Sequence, residues 1–413
     1  MSRFNWLTGI RVLELTTAWA GPAVGRFLGA LGADVVKVES ARRYDLWRGS
    51  ANAKPPDRKG AHVYNLAPNF NGLNRNKRGI SLDLTAPGGR EMFLRLVQAA
   101  DAIVTNLTAR VLPNLGLDYG ALRQVNPRII LLNMPALGAS GPNRDLAGYG
   151  SIIEGMGGMA VRFGHASEGA RVSQTFYPDA VAGVHAVVAL LAGLNRRDRD
   201  GHGLSIDLSQ QETMWLQLGE GIVLHSLEGR EPERMGNAEP GLAPSGVFPT
   251  LDSRWVALVV KSDEQFAALV QLAHPKLRHF ARWETTRRLA NRMQLESAVG
   301  SWTATLPLAG LLEAFTERDI AAAAVNNYAE AAVAPCFADL DALERIAHPE
   351  AGTCLHLRMP VRFDGQCVDT RLPGVRFGEH TDLVLKEWVS ASRKEIEGLR
   401  AGGAVVDEIP ATL

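Results

Sequence analysis

The sequence predicts an α/β fold, a mostly parallel sheet with helices on both faces, followed by a smaller α+β unit. Three observations carry that expectation. Strand-like and helix-like segments alternate from Val12 to Asn133, a rhythm typical of parallel sheets whose crossovers are helices. A Gly/Pro-rich segment from Gly229 to Pro249 marks a domain boundary before a second set of elements. The chain has 413 residues, of which 46% are hydrophobic, enough at about 150 residues per domain for two or three domains with sizeable cores.

In chain order, Val12–Leu15 reads as a strand, Gly21–Gly32 as a helix and Asp34–Glu39 as a second strand, which together make a βαβ opening. A helix over Pro87–Ala99 then feeds a strand over Ala102–Asn106, and a helix over Tyr119–Gln124 feeds Ile129–Asn133. After a glycine-rich stretch, Gly138 to Gly158, a strongly apolar helix runs from Asp179 to Leu194. The charged run Asn195–Gly203 is read as its end, and Leu204–Leu208 as a further strand. One long helix is predicted over Gln210–Leu227, and Trp255–Val260 opens the smaller unit, which extends to about residue 330.

Composition excludes several classes. Lys+Arg and Asp+Glu are equal at 44 each, so the chain is neither a polybasic nucleic-acid wrapper nor a charged disordered tail. Cys336, Cys354 and Cys367 are far apart with no CxxC spacing, which points away from a disulfide framework or a zinc knuckle and toward a reducing, cytoplasmic setting. The segment Met1–Trp6 has no leader-like pattern. No stretch reaches the roughly 18 uncharged apolar residues of a membrane span, so no membrane partner is expected.

Familiar catalytic signatures are missing. The turn after Leu15, Thr16-Thr-Ala-Trp-Ala-Gly-Pro22, lacks the close glycine pair of a dinucleotide fingerprint, and Pro22 offers no N–H to a pyrophosphate. Gly21, Gly25 and Gly29 recur at helical spacing, which argues for close packing of that helix on the sheet. Glu39, at the end of the second strand, could accept from a ribose hydroxyl. P-loop, serine-hydrolase and zinc-protease motifs are absent, and no metal site is expected.

Two features remain open to function. The run from 40 to 90 is basic (Arg42, Arg43, Arg48, Lys54, Arg58, Lys59, Arg75, Lys77, Arg78, Arg90 against Asp45, Asp57, Asp83), which is either a solvated face or a site for a small polyanion. Asp179, in Tyr177-Pro-Asp, opens the most apolar helix. It is either an N-cap or a carboxylate kept ionised by the helix terminus in a dry pocket and able to act as a nucleophile.

Ten stretches in order resemble the class III coenzyme A transferases, which include formyl-CoA:oxalate and carnitine CoA-transferases and share their fold with α-methylacyl-CoA racemases. They are Gly9–Leu15 with Ala20-Gly-Pro22, Leu31–Glu39, Asn76–Leu84, Ala100–Asn106, Gly141-Pro142, Tyr149-Gly150, the Asp179 helix, Gly201–Leu208, Arg234–Asn237 and Gly378–Asp382. The resemblance implies a Rossmann-like large domain, a ring-shaped subunit and an interlocked homodimer. It implies a large CoA-binding domain over 1–228, a small domain with linkers over 229–330, and a segment over 331–413 returning to the large domain. Asp179 then carries a mixed anhydride and an aspartyl-CoA thioester in turn.

By position the resemblance places the CoA site on Trp19 and Ala20, on Leu82, Asp83 and Thr85, on Asn106 and Leu107, and on Gly148 and Tyr149. Arg78 would either contact a CoA phosphate or pair with an acid. Substrates would be acyl-CoA and a carboxylic acid, with no tightly bound cofactor. The sequence departs from formyl-CoA transferases at Trp19, where they carry a glutamine, and at Ser40 and Asn114, where they carry CoA-contacting arginines. Their four-glycine run has no counterpart in Met235–Gly246. Trp19 points to a bulkier or less polar acid than formate or oxalate. The rival readings are a racemase, which lacks its histidine base at Ala147–Gly150, and a non-catalytic CoA-binding subunit in a heteromer with a homologous chain.

Overall fold

The computed structural model describes residues 4–49 and 60–410. Lys54, Asp57, Arg58 and Lys59 of the basic run lie outside the described residues, as do Met1–Arg3. The chain divides into two compact units. The first comprises Met1–Gly157, Ser173–Ile222 and Ala338–Leu413, and the second Gly158–Val172 and Val223–Phe337.

The first unit is built on six strands: β1 (Arg11–Leu15), β2 (Asp34–Glu39), β3 (Arg78–Ser81), β4 (Ala102–Thr105), β5 (Ile130–Asn133) and β6 (Ser205–Asp207). They lie in the order β3-β2-β1-β4-β5-β6, and every pairing is parallel. The chain builds outward from β1 in one direction and then crosses to its other side at β4. The crevice outside the carboxyl ends of β1 and β4 is therefore a topological switch point, where such sheets bind ligands.

Side chains alternate across the sheet. Leu13, Leu15, Val36, Val38, Ile80 and Ile103 face one core, shared with the helices Gly89–Gln98, Thr381–Val389 and Arg393–Ala401. Val12, Val35, Val104, Ile130 and Leu132 face the other, under the helices Ala20–Ala30 and Tyr177–Asp200. The C-terminal stretch thus completes the first unit. Thr381 Oγ1 accepts from the Ser81 N–H (3.0 Å), and the His380 N–H donates to the Gly79 carbonyl (2.8 Å).

The second core face is interrupted by charge. Glu14 and Lys37 are cross-strand neighbours in the β1–β2 register, both fully buried. Lys37 Nζ reaches Glu14 at 3.3 Å and Asp45 at 2.9 Å, and Lys77 Nζ reaches Glu14 at 2.9 Å. Beside them Arg48 pairs with Glu39 at 2.8 Å. Burial disfavours the charge on Lys37, but Asp45 and Glu14 outweigh it and raise its pKa, whereas burial dominates at Lys77 and lowers it to about 8.

The glycine spacing finds its reason here. A Cβ at Gly25 would meet Glu14 Oε2 at 1.8 Å, and one at Gly29 would meet the Asn76 carbonyl at 2.3 Å. The first helix passes directly over the buried carboxylate, and only hydrogen fits between them.

Several boundaries differ from those read in the sequence. The apolar helix continues through Arg196–Asp200, carried by an Arg196–Asp200 ion pair one turn apart, and stops at Gly201 in the left-handed region (φ 76°). Predicted as one helix, Gln210–Leu227 is two, Gln210–Gln217 and Gly219–Glu228, broken at Leu218. The Tyr177–Asp200 helix is long and apolar enough to cross a membrane (hydropathy 1.5), yet Ala182, Ala186, Leu190 and Leu194 pack it on the sheet.

In the second unit β7 (Ser245–Pro249), β8 (Trp255–Val259) and β9 (Ala321–Ala324) form an antiparallel sheet in the order β7-β8-β9. Phe248, Val256, Leu258, Phe266, Leu295, Trp302 and Phe315 make its core with the flanking helices.

Removing one partner from a buried ion pair leaves an uncompensated charge. Lys37→Met should therefore cost about 3–5 kcal/mol, read as a lowered urea midpoint at unchanged m-value. A loss under about 1 kcal/mol would mean that the cluster contributes little to stability.

Candidate active site

The loop leaving β1 is fixed from below. The Asp45 carboxylate accepts from the backbone N–H groups of Ala18 (3.1 Å) and Trp47 (2.9 Å), while its other oxygen faces Lys37. From the side, the Asn106 amide closes on Thr17, accepting from its N–H (2.9 Å) and donating to its carbonyl (2.8 Å). Ala18 adopts a positive φ of 61°, and the chain then enters the first helix at Ala20, with Trp19 at the capping position.

That arrangement presents the Ala20 N–H to Asp179. Asp179 is not the cap of its helix. Phe176 holds that place (φ 49°), and Asp179 is the third helical residue after Tyr177 and Pro178, with its N–H donating to the Phe176 carbonyl (3.0 Å). The carboxylate is buried at 8% exposure, and Oδ2 makes no hydrogen bond among the described residues. Burial raises its pKa from 3.8 to about 6, against the pull of the Ala20 and Asp179 backbone N–H groups, with the nearby Glu154 carboxylate adding to the rise.

Gly150 gives access to that oxygen, since a Cβ there would meet Asp179 Oδ2 at 2.4 Å. It opens the helix Gly150–Met156, capped by Tyr149, and the same helix carries Glu154. Glu154 is buried, and Ser173 donates to it through both its N–H and its Oγ, each at 2.6 Å. The short segment leading to Phe176 is thereby tied to the Glu154 helix.

Three half-buried rings cluster together, Trp19 next to Ala20, Phe176 at the start of the Asp179 helix, and Trp47 against both. Trp19 meets Trp47 edge-on at 5.5 Å between centroids, and Phe176 lies 6.0 Å from Trp19 and 6.3 Å from Trp47.

Of the residues singled out in the sequence, Trp19, Ala20, Asn106 and Tyr149 converge with Asp179 at the carboxyl end of the sheet. Gly148 precedes Tyr149 and packs closely on Ala136, where a Cβ would come within 2.6 Å. Leu107 follows Asn106 and packs on the first core. Leu82, Asp83 and Thr85 follow β3, two strands away from β1. The Leu82 side chain is core, and Asp83 accepts from the Thr85 N–H (2.8 Å) and hydroxyl (2.6 Å).

Arg78 is elsewhere. It begins β3, at the amino end of the sheet, and pairs with Asp34 and, at 2.6 Å, with Glu387. Glu39 is likewise a structural partner rather than a free acceptor: burial would raise its pKa, but the Arg48 guanidinium brings it down to about 2. Part of the basic run is likewise structural, with Arg48, Arg75 and Lys77 buried and paired and Arg90 donating to the carbonyls of Leu115 and Gly116, whereas Arg42 and Arg43 are exposed.

Sequence reasoning missed Asp45, Trp47, Glu154 and Phe176. Trp47 shares a charged loop with Tyr44 and forms no motif, while Phe176 left a trace as a neighbour of Tyr177-Pro-Asp179. Asp45 and Glu154 look like ordinary surface acids until their partners are known.

An acid whose folded pKa lies above its unfolded value destabilises the fold once ionised. For Asp179 the penalty is absent below pH 3.8, grows toward about pH 6 and is complete above it. Asp179→Asn should therefore raise the melting temperature at pH 8, with a gain on the order of 3 kcal/mol that shrinks toward pH 4. An equal or lower melting temperature at pH 8 would refute the penalty.

Comparison with known proteins agrees with this architecture. The model of CoA-transferase family III matches residues 7–381. Succinate–glutarate CoA-transferase of Agrobacterium fabrum is 31% identical over 94% of this chain and 96% of its own. Succinyl-CoA–D-citramalate CoA-transferase of Chloroflexus aurantiacus is 28% identical over 96% of this chain and 97% of its own. The crystal structure of a CaiB/BaiF family protein from Brucella suis superposes with a TM-score of 0.83 at 30% identity, covering 94% of this chain and all of that one. With the match running across both units, the chain belongs to CoA-transferase family III and is an enzyme that transfers coenzyme A.

Proposed function

We propose that the enzyme moves CoA from an acyl-CoA donor to a carboxylic acid through covalent intermediates on Asp179. The observation that carries this reading is a buried carboxylate of raised basicity, with one oxygen unpartnered beside a glycine at the sheet's switch point. A carboxylate with pKa about 6 is ionised at neutral pH and more basic than an ordinary aspartate, and a dry setting leaves its oxygen poorly solvated.

Attack of Asp179 Oδ2 on the donor carbonyl breaks the C–S bond, giving a mixed anhydride and CoA thiolate. The thiolate attacks the aspartyl carbonyl of the anhydride, forming an aspartyl-CoA thioester and releasing the donor acid. The acceptor carboxylate then attacks that thioester and frees the thiolate again. Return of the thiolate to the acceptor's carbonyl yields the new acyl-CoA and restores Asp179. One thioester is exchanged for another, so no oxidant, reductant or metal is called on. The Ala20 N–H stays with Asp179 and is placed to stabilise negative charge on its oxygens.

A two-base racemase would need a second proton acceptor facing Asp179. His185 is engaged with the Val181 carbonyl (2.9 Å), and Glu154, the other carboxylate near Asp179, has both oxygens taken up by Ser173. CoA would approach along the loops after β1 and β4, beside Asn106, Gly148 and Tyr149. A second copy of the chain, or a homologous one, completes this reading. On the first unit Val184, Val188, Trp215, Leu216 and Ile222 are 42–70% exposed, an apolar surface suited to a protein partner. A Chloroflexus aurantiacus relative is named as a beta subunit, that of succinyl-CoA–L-malate CoA-transferase.

Incubation with a panel of acyl-CoA thioesters followed by hydroxylamine should leave a hydroxamate on the Asp179 peptide. It should require acyl-CoA and be absent from Asp179→Asn, and an unmodified Asp179 with every donor refutes the covalent role. The acid limb of kcat/KM should fall near pH 6, because protonated Asp179 cannot attack. Glu154→Gln removes a like charge, so its acid limb should move to lower pH, as a pH–rate profile would show; an unmoved limb would clear Glu154 of this effect.

A further inference from the structure

We propose that Trp19, Trp47 and Phe176 form the acyl wall of the site and select an uncharged hydrocarbon or aromatic acid over a short dicarboxylate. The proposal rests on the Asp179 reading and names its substrate class.

Each ring is tied to the nucleophile by the backbone. Trp19 immediately precedes Ala20, whose N–H meets the Asp179 carboxylate, and Phe176 supplies the carbonyl that receives the Asp179 N–H at 3.0 Å. Trp47 is held by Asp45, the same carboxylate that fixes the turn before Trp19. The three centroids lie within 5.5–6.3 Å of one another, so the rings form one surface, and each remains partly open to an incoming group. Aromatic faces of this kind favour apolar or aromatic groups packed against them.

The buried charge next to the wall points the same way, while Arg42 and Arg43, earlier in the Trp47 loop, are exposed. The remote carboxylate of a dicarboxylic acid would need a cation or several N–H donors there, because an unpaired charge on an apolar surface is costly. The cations buried beneath the wall are already committed, Arg48 to Glu39 and Lys37 to Asp45 and Glu14. The charged group acting on Asp179 is an acid, Glu154, which repels a second anion rather than receiving it.

The test uses the full-length enzyme with phenylacetyl-CoA and hexanoyl-CoA against succinyl-CoA and glutaryl-CoA, each with the four free acids as acceptors. Exchange is followed by mass spectrometry of the acyl-CoA products, and Asp179 hydroxamate is measured in parallel. We expect kcat/KM at least about tenfold higher for the better apolar donor than for either dicarboxylyl donor. In Trp19→Gln and Phe176→Ala that ratio should drop by about tenfold or more, with melting temperature checked for each variant. A dicarboxylyl donor that is preferred while Asp179 is labelled overturns the wall and leaves the covalent reading standing. Absence of label with all four donors overturns the covalent reading and the wall with it.

Discussion

Glu14 lies in a layer where its neighbours along β1 are apolar, and the shape of the site depends on how that carboxylate is neutralised. Lys37 across the strand pair and Lys77 from the approach to β3 supply the compensating charge. The space for them exists because the overlying helix carries glycine at position 25. Lys37 also holds Asp45, and Asp45 holds the turn between β1 and the first helix. A chain of ionic contacts inside the sheet thus ends as a hydrogen-bond acceptor beneath the loop that presents Ala20 and Trp19. Apolar packing alone would have secured the sheet without fixing that loop, because hydrophobic contacts are not directional.

At Asp179 opposing influences are held in balance. Burial and Glu154 favour the neutral acid, while the backbone amides of Ala20 and of the helix start favour the anion. The result is an aspartate that remains ionised at neutral pH without the deep stabilisation of a carboxylate paired to a cation. The Tyr177–Asp200 helix contributes rigidity, since its buried face is locked between sheet and first helix. The carboxylate proposed as nucleophile thus sits on a packed helix rather than on a loop.

Much of the large unit was legible because its strands are short apolar runs between amphipathic helices. The edge strand β3 was not: Arg78-Gly-Ile-Ser81 has a charge, a glycine and only one apolar side chain. The end of the Asp179 helix was misplaced because a charged run looks like a loop until its ion pairs are seen one turn apart. In the site, Asp179 stood out through its place before an apolar helix and through a family resemblance. Arg78 kept two readings, and the structure shows it with its acids, Asp34 and Glu387. Asp45, Trp47 and Glu154 carry no local pattern, since their roles arise from contacts with residues as distant in sequence as Ala18, Phe176 and Ser173.

Phe176 sits at a backbone angle (φ 49°) that glycine adopts freely and that costs a residue with a Cβ roughly 1–2 kcal/mol. On conformational grounds alone, position 176 would suit glycine. Keeping a benzyl group there means that its ring, and not the turn, is what the position is organised around. A glycine at 176 would let the polypeptide relax while emptying part of the surface near Asp179, so the residue exchanges conformational ease for a place in the aromatic cluster with Trp19 and Trp47.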